Sequence, residues 1–313
     1  MLRYVASAAA LKAFSLPFAR PLYRALGNHY GEKRRTAYDI RTPPSNYLLR
    51  ATRMVALARQ HDLVRDGARL LEIGTGWVHW EASVLRLFYD IEATLVDVWD
   101  NRQFDAFKAY LGQLEPHLDT EFDVDIARAQ RAHGRLRQML DARSFEELYA
   151  VTGFEYVVDP VGMLDVFEDD SFDLIVSCVV LEHIDRDILP RFVINNERIL
   201  RPGGHTSHSI DLGDHLSYYD PRAHKKQYLA YNERTWKLFF ENRVQYFNRV
   251  QKPEWLELFG ATNLRLIVAN EASRPLKGLH VAPCFRRFTD EELAVRTVLL
   301  IHEKPATDAR AAA

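Results

Sequence analysis

The densest set of reactive side chains lies between residues 205 and 220: His205, His208, Asp211, Asp214, His215, Tyr218, Tyr219 and Asp220. The first half of this stretch alternates as a strand does. Asp211, Asp214 and His215 then fall at the strand's carboxyl end, where open α/β sheets bind ligands. A histidine near a carboxylate can take a proton from a hydroxyl near neutral pH. Asp211 stands four residues before His215, so it could fix the imidazole tautomer. His215 and Asp211 are therefore the catalytic candidates. The same residues could ligate a divalent metal, and a polar loop with structural histidines is the third reading. No metal is assigned from the sequence. His208, in mid-strand, is expected to point into packing.

A second set surrounds residues 69–77, Arg-Leu-Leu-Glu-Ile-Gly-Thr-Gly-Trp. Leu70, Leu71 and Ile73 fit a buried parallel strand. Gly74 and Gly76 follow, then a helix over 80–88. Strand, glycine turn and helix present backbone N–H groups and a helix N-terminus to a ligand, although an ordinary tight βα turn reads the same way. A dinucleotide fingerprint needs a third glycine where His79 stands, which argues against a nicotinamide or flavin cofactor. Residues 93–97 read as the second strand, ending on Asp97, at about the 20-residue separation from Gly74 expected of a ribose-binding acid. One carboxylate can accept bonds from both ribose hydroxyls. Asp100 is the neighbour that could take the role instead.

The elements that must carry these residues follow from periodicity. Thr42-Pro43-Pro44-Ser45 breaks the chain and starts a helix to about Gln60. Residues 102–154 are polar and mostly helical, more than a βα crossover needs, and read as an inserted subdomain or lid. Strands are expected over 155–159, 172–177, 264–268 and 296–302, and a helix over 254–259. Residues 221–252 interleave Trp236, Phe239, Phe240, Tyr246 and Phe247 with Arg234, Lys237, Arg243 and Arg249. Such a mixture can stack bases or sugar rings. An amphipathic helix covering the sheet is the preferred reading.

Composition narrows the class. The 313 residues are 47% hydrophobic and 27% charged, enough for one large domain with insertions. A net charge of −2 gives no drive towards nucleic acid. Cys178 and Cys284 alone cannot build a disulfide framework or a cysteine-rich zinc site. No apolar stretch is long enough to span a bilayer, and the chain reads as cytoplasmic. Its start carries Arg3, Lys12, Arg20 and Arg24 and no acid before Glu32. A transit peptide or a membrane-surface helix would look like this. Leu11, Phe14 and Phe18 could share one helical face, interrupted by Pro17 and Pro21; a helix docked on the domain is preferred, with peripheral membrane contact as the alternative. Oligomeric state has no signature in the sequence.

Four ordered motifs resemble the class I S-adenosylmethionine-dependent methyltransferases. They are Glu72-Ile-Gly-Thr-Gly-Trp77, Ser171-Phe-Asp-Leu-Ile-Val-Ser177, Leu181-Glu-His-Ile184 and Leu200-Arg-Pro-Gly-Gly204, with an acid after the third strand. They cover roughly residues 65–212 apart from the insertion. Val78 departs from the pattern, standing at the family's third glycine. The resemblance implies a Rossmann-like α/β fold, a seven-stranded mostly parallel sheet with helical insertions, and S-adenosylmethionine as cofactor. It implies cofactor contacts from Glu72, Gly74, Thr75, Gly76, Asp97 and Ser177. Asp159 or Asp165 would bond the adenine amino group, and Met163 or Leu164 would pack on the ring. Cys178 would be core. His183, in Leu-Glu-His-Ile, becomes the rival catalytic histidine.

The expected organisation is an N-terminal helical extension over 1–64 and a methyltransferase domain over 65–304, with insertions at about 102–154 and 216–252. A disordered tail over 305–313 follows. Ser207-His-Ser-Ile-Asp-Leu212 with Asp214-His215 resembles methyltransferases of sugar and surface-polysaccharide modification. That implies O-methylation of a sugar, glycan or related hydroxyl acceptor. The alternatives are a small-molecule or lipid methyltransferase and a non-catalytic S-adenosylmethionine-binding protein.

Overall fold

The computed structural model describes residues 1–36 and 45–306. The expected break at Thr42-Pro43-Pro44 and most of the expected tail lie outside them.

The helices are α1 (Leu2–Phe14), α2 (Arg20–Thr36), α3 (Ser45–Gln60), α4 (Trp80–Phe88), α5 (Phe104–Gly112), α6 (Ile126–Asp141) and α7 (Phe145–Thr152). After them come α8 (Leu189–Ile199), α9 (Glu233–Phe239), α10 (Lys252–Gly260) and α11 (Asp290–Ala294). The strands are β1 (Arg69–Ile73), β2 (Glu92–Asp97), β3 (Phe154–Val158), β4 (Phe172–Cys178), β5 (Leu200–Asp211), β6 (Arg265–Ser273) and β7 (Val295–Glu303). Their order in one seven-stranded sheet is β3-β2-β1-β4-β5-β7-β6. The α/β architecture expected of the sequence is present.

The chain divides into two compact units. One comprises Asn28–Cys178, Asn195–Ser207 and the chain from Glu303. Here β1 lies parallel between β2 and β4, with Leu71 opposite Thr94 on one side and Ile175 on the other. β3 is parallel to β2. Leu70, Leu71, Leu95, Leu174, Ile175 and Val176 are fully or almost fully buried, as strands covered on both faces must be. The insertion between β2 and β3 is α5, α6 and α7. α6 packs on α4 and α7 on β3, so these helices are part of the sheet's cover. Ser144 caps α7 by accepting the Glu147 N–H, and Gly153 ends it in the left-handed conformation.

The other unit comprises Met1–Gly27, Val179–Ile194 and His208–His302. Its core contains Trp236, Phe240, Phe247, Tyr228, Leu229 and Phe285. The aromatics of 221–252 are thus largely structural. Only Phe239 among those singled out is substantially exposed. α1 docks on this core through Tyr4, Ala8 and Leu11, a spacing that keeps one helical face inward. The expected face of Leu11, Phe14 and Phe18 does not form. The helix ends at Phe14, and Phe18 beyond the break is 81% exposed. Residues 1–64 are therefore shared between the units, with α3 packing on α4 in the first. No helix among the described residues is long and apolar enough to cross a membrane.

Candidate active site

The glycine turn sits at the carboxyl end of β1 in the first unit. Gly74 and Gly76 both have positive φ, +65° and +62°, which is why glycine is needed here. Gly74 and Thr75 donate their N–H groups to the Val96 carbonyl at 2.8 and 3.2 Å. Gly76 N–H donates to Asp97 Oδ2 at 3.0 Å, and Val98 N–H to Asp97 Oδ1 at 2.8 Å. Asp97 thus braces the turn, and although the Asn101 side chain also bonds it, the carboxylate keeps acceptor capacity for a ligand hydroxyl. Burial raises its pKa, against the pull of those two amides and of the Asn101 side chain. Asp100 is committed elsewhere, forming a two-pronged pair with Arg102 at 2.9 and 2.7 Å. Of the two acids, Asp97 is the one placed at the turn.

Glu72 is buried, and its Oε2 accepts the Ala82 N–H at 2.8 Å. It ties β1 to the first turn of α4. Burial, then the nearby Glu81, push its pKa well up. Val78 tolerates the third-glycine position because its φ is not positive. The left-handed residue is the next one, His79, at φ +44°. His79 is fully buried and uncharged, its pKa lowered to about 3 by desolvation. Its Nδ1 meets Thr75 Oγ1 at 2.8 Å and its Nε2 meets Tyr149 Oη at 2.9 Å. Thr75 is therefore anchored from below by a chain reaching α7. The sequence used His79 only to exclude a dinucleotide. Its supporting role had no visible signal, because Tyr149 lies far along the chain.

At the end of β3, Asp159 accepts the N–H groups of Val161 and Leu164, both at 3.1 Å. It shapes the loop that carries Met163, whose side chain is buried. Leu164 takes the left-handed conformation at φ +61°. Asn195 Nδ2 holds this loop through the Met163 carbonyl and Asp165 Oδ1, at 2.6 and 2.9 Å. Asp165 is exposed, while Asp159 is almost fully buried at the strand end. Ser177 is buried on β4 and stands in register with Ile73. Turn, acid and loop offer backbone donors, a carboxylate and an apolar wall, the chemistry that a nucleoside requires.

The second cluster lies in the other unit. Asp211 ends β5, and its Oδ1 accepts Gly213 N–H while Oδ2 accepts the Tyr218 hydroxyl, both at 2.7 Å. His215 Nε2 is 3.8 Å from Asp211 Oδ2, too far for a hydrogen bond. The expected tautomer-fixing bond is therefore absent, because Tyr218 has taken that oxygen. His215 is buried, ringed by Phe247, Tyr218 and His183 at centroid distances of 4.9, 5.5 and 4.9 Å. Burial, then the neighbouring His183, lower its pKa to about 4. His183 is solvent-exposed, and its Nδ1 donates to the Tyr246 carbonyl at 2.6 Å. A carbonyl only accepts, so Nδ1 carries the proton and Nε2 is left with its lone pair.

Asp214 is not beside these histidines as a partner. It accepts the Tyr4 hydroxyl at 2.7 Å and the Leu216 N–H at 2.9 Å, locking α1 to the turn. His208 is fully buried and stacked on Phe259. Glu182 was missed. It is 2% exposed, and neither carboxylate oxygen has a hydrogen-bond partner among the described residues. Its adjacency to His183 was the available signal.

The sequence profile described as a methyltransferase domain matches residues 109–207, less than half of the chain. No curated protein matches. Among solved structures, the chain is similar to an S-adenosylmethionine-dependent methyltransferase from Methanosarcina mazei. Identity is 16%, coverage is 79% of this chain and 97% of that one, and the TM-score is 0.43. It is also similar to a Burkholderia thailandensis 1,6-didemethyltoxoflavin-N1-methyltransferase with bound 1,6-didemethyltoxoflavin and S-adenosylhomocysteine. There identity is 14%, coverage 92% and 89%, and the TM-score 0.47. A third is phosphoethanolamine N-methyltransferase 2 of Haemonchus contortus in complex with S-adenosyl-L-methionine, at 14% identity, 81% and 52% coverage and a TM-score of 0.45. The profile match falls on β3, β4, α8 and most of β5, and it supports a methyltransferase domain with S-adenosylmethionine as methyl donor.

Proposed function

We propose that this methyltransferase acts on a hydroxyl group, in a sugar, glycan or related small acceptor. The observation that carries the proposal is the pairing of two imidazoles, His183 and His215, whose ring centroids are 4.9 Å apart, with Asp211 and Tyr218 at the end of β5. A hydroxyl must lose a proton as it accepts a methyl group. A neutral amine attacks first and loses its proton afterwards. A set of uncharged imidazoles is suited to the first task. We assign proton handling to His215, with His183 as its rival and Asp211 as the neighbouring charge.

On the donor side, the proposal gives the ribose to Asp97 and the methionine end to the turn of Gly74, Thr75 and Gly76. Glu72 supports that turn. The adenine falls to Asp159 and Met163, with Ser177 alongside. The protein's contribution is alignment of the acceptor oxygen with the methyl carbon, for which a displaced ångström costs orders of magnitude.

The test is transfer of labelled methyl from S-adenosylmethionine to panels of sugars, other small hydroxyl compounds, hydroxylated lipids and amines. Methylated oxygen in the sugar panel is the expected product. Exclusive methylation of amines would overturn the hydroxyl assignment, and lipid acceptors alone would move it to the lipid alternative. Tight cofactor binding with no transfer in any panel would favour a binding protein.

A further inference from the structure

We propose that Glu182, His183 and His215 bind a divalent transition-metal ion. One ligand atom from each, a carboxylate oxygen and a ring nitrogen from each histidine, lies within 4.8 Å of the other two. Two imidazoles and one carboxylate suit zinc and its first-row neighbours, and three protein ligands leave positions open.

Three independent features point to an ion here. The first is Glu182. A carboxyl group buried to 2% exposure with both oxygens unpartnered costs the fold free energy, and a cation supplies the missing partner. The backbone N–H groups of Glu182 and Asp211 approach the carboxylate without forming hydrogen bonds of normal geometry, and the Asp211 carboxylate adds negative charge beside it. The second is His183. Its Nδ1 proton is held by the Tyr246 carbonyl. That is the outer bond that fixes the tautomer and ring direction of metal-bound histidines, leaving Nε2 free to ligate. The third is the scaffold. Asn248 Nδ2 bonds the carbonyls of Leu181 and Ile184 at 2.9 and 3.1 Å, and Asn248 N–H bonds the Glu182 carbonyl at 2.8 Å. The turn that presents both Glu182 and His183 is thus clamped from residues 246–248, while Tyr218 and Phe247 fix His215.

The site replaces the one considered from the sequence, Asp211 with Asp214 and His215, because Asp214 is occupied by Tyr4 and Leu216. An ion at three protein ligands lowers the pKa of an oxygen bound in an open position. His183 and His215 would then act as ligands instead of bases, and an acceptor hydroxyl bound at an open position would pass its proton to solvent water. That last consequence rests on the hydroxyl reading above; ion binding itself does not.

The experiment is equilibrium binding of zinc alone to the full chain after chelator treatment and dialysis, with metal content by mass spectrometry and cobalt substitution read by visible absorption. One ion per chain is expected, with d–d bands of a low-coordinate nitrogen–oxygen site. His183→Ala removes an exposed side chain and leaves the fold intact, and should weaken binding by at least ~10-fold. Glu182→Gln should do the same with its shape retained. His133→Ala, at a surface His133–Asp119 pair, should change nothing. Retention of wild-type zinc affinity in both His183→Ala and Glu182→Gln would overturn the site, as would less than one ion per chain at saturation. Zinc binding without methyl transfer would sink the hydroxyl reading and leave the metal site standing.

Discussion

Asp97 offers a sharp test of the donor side. Its carboxylate already holds two backbone amides, Gly76 at 3.0 Å and Val98 at 2.8 Å. Removing it therefore acts twice. In the free protein the two amides are orphaned, but Val98 is 47% exposed and water can replace that bond. The cost to stability is then about 0.5–1.5 kcal/mol per bond at most, a few degrees of melting temperature. In the complex, at least one charged bond to a ribose hydroxyl is also lost, about 1.5–3 kcal/mol. That corresponds to roughly 10–150-fold weaker binding. Calorimetric titration of Asp97→Ala with S-adenosylhomocysteine should show that loss while the circular dichroism spectrum is kept. Asp97→Asn is the finer probe. Its single oxygen can satisfy only one of the two amides, while its NH2 faces the other, so binding should fall partway and the turn loosen. Asp100→Ala, whose partner is Arg102, should leave affinity within a factor of a few. Wild-type affinity in Asp97→Ala, or loss confined to Asp100→Ala, would refute the assignment.

Three further outcomes follow from the geometry. Gly76→Val places a β-branched residue at φ +62°, a strain of roughly 1–2 kcal/mol before any ligand is met; cofactor affinity should fall at least ~10-fold by the same titration, and unchanged affinity would remove the turn from the site. His215→Ala should lower methyl transfer about 10²–10⁴-fold with cofactor affinity retained, the deficit shrinking as pH rises and the acceptor ionises unaided; full activity would discard the residue. His208 is buried uncharged, its folded pKa lowered to about 3. Its stabilising contribution is thus complete above the unfolded value of about 6.5 and is lost as pH falls from there towards 3, at up to about 1.4 kcal/mol per pH unit. Thermal melts of His208→Leu should accordingly decline less on acidification than those of the parent, and parallel curves would rule this out.

The strands that carry the donor site were legible because each combines an apolar run with a defined stop. Leu70, Leu71 and Ile73 end on glycines whose positive φ only glycine adopts cheaply. Leu174 to Ser177 reads as a continuous buried run, and β3 ends one residue before Asp159. What each polar residue does was less legible, because its partners lie far away in sequence. Glu72 turns to Ala82, and Thr75 leans on His79, which leans on Tyr149 seventy residues later. Nothing in Gly-Thr-Gly-Trp-Val-His announces that chain. The α1 face was misjudged for a simpler reason. Ala8 carries little hydrophobic weight in a periodicity count, yet a small residue is what allows a helix to approach its neighbour closely. Tyr4, Ala8 and Leu11 dock, and the larger Phe18 does not.

The two polar clusters differ in a way that bears on function. Around the glycine turn the supporting side chains are mutually satisfied: Glu72 with Ala82, His79 with Thr75 and Tyr149, Asp97 with Gly76 and Val98, Asp159 with Val161 and Leu164. Such a network costs little to maintain and fixes geometry before a ligand arrives, which reduces the ordering cost of binding. Around His215 the balance is reversed. Asp211 is satisfied by Tyr218 and Gly213, but Glu182 is buried with no hydrogen bond of normal geometry to its carboxylate, and two imidazoles face one another. A fold selected for stability alone would place an apolar side chain where Glu182 lies, since an unpartnered buried carboxyl group is more costly than an apolar one of similar size. Its presence beside His183 and His215 indicates that the cluster is completed by something it binds. The proposed donor site is thus built in advance, whereas the second cluster would be completed by the proposed ion.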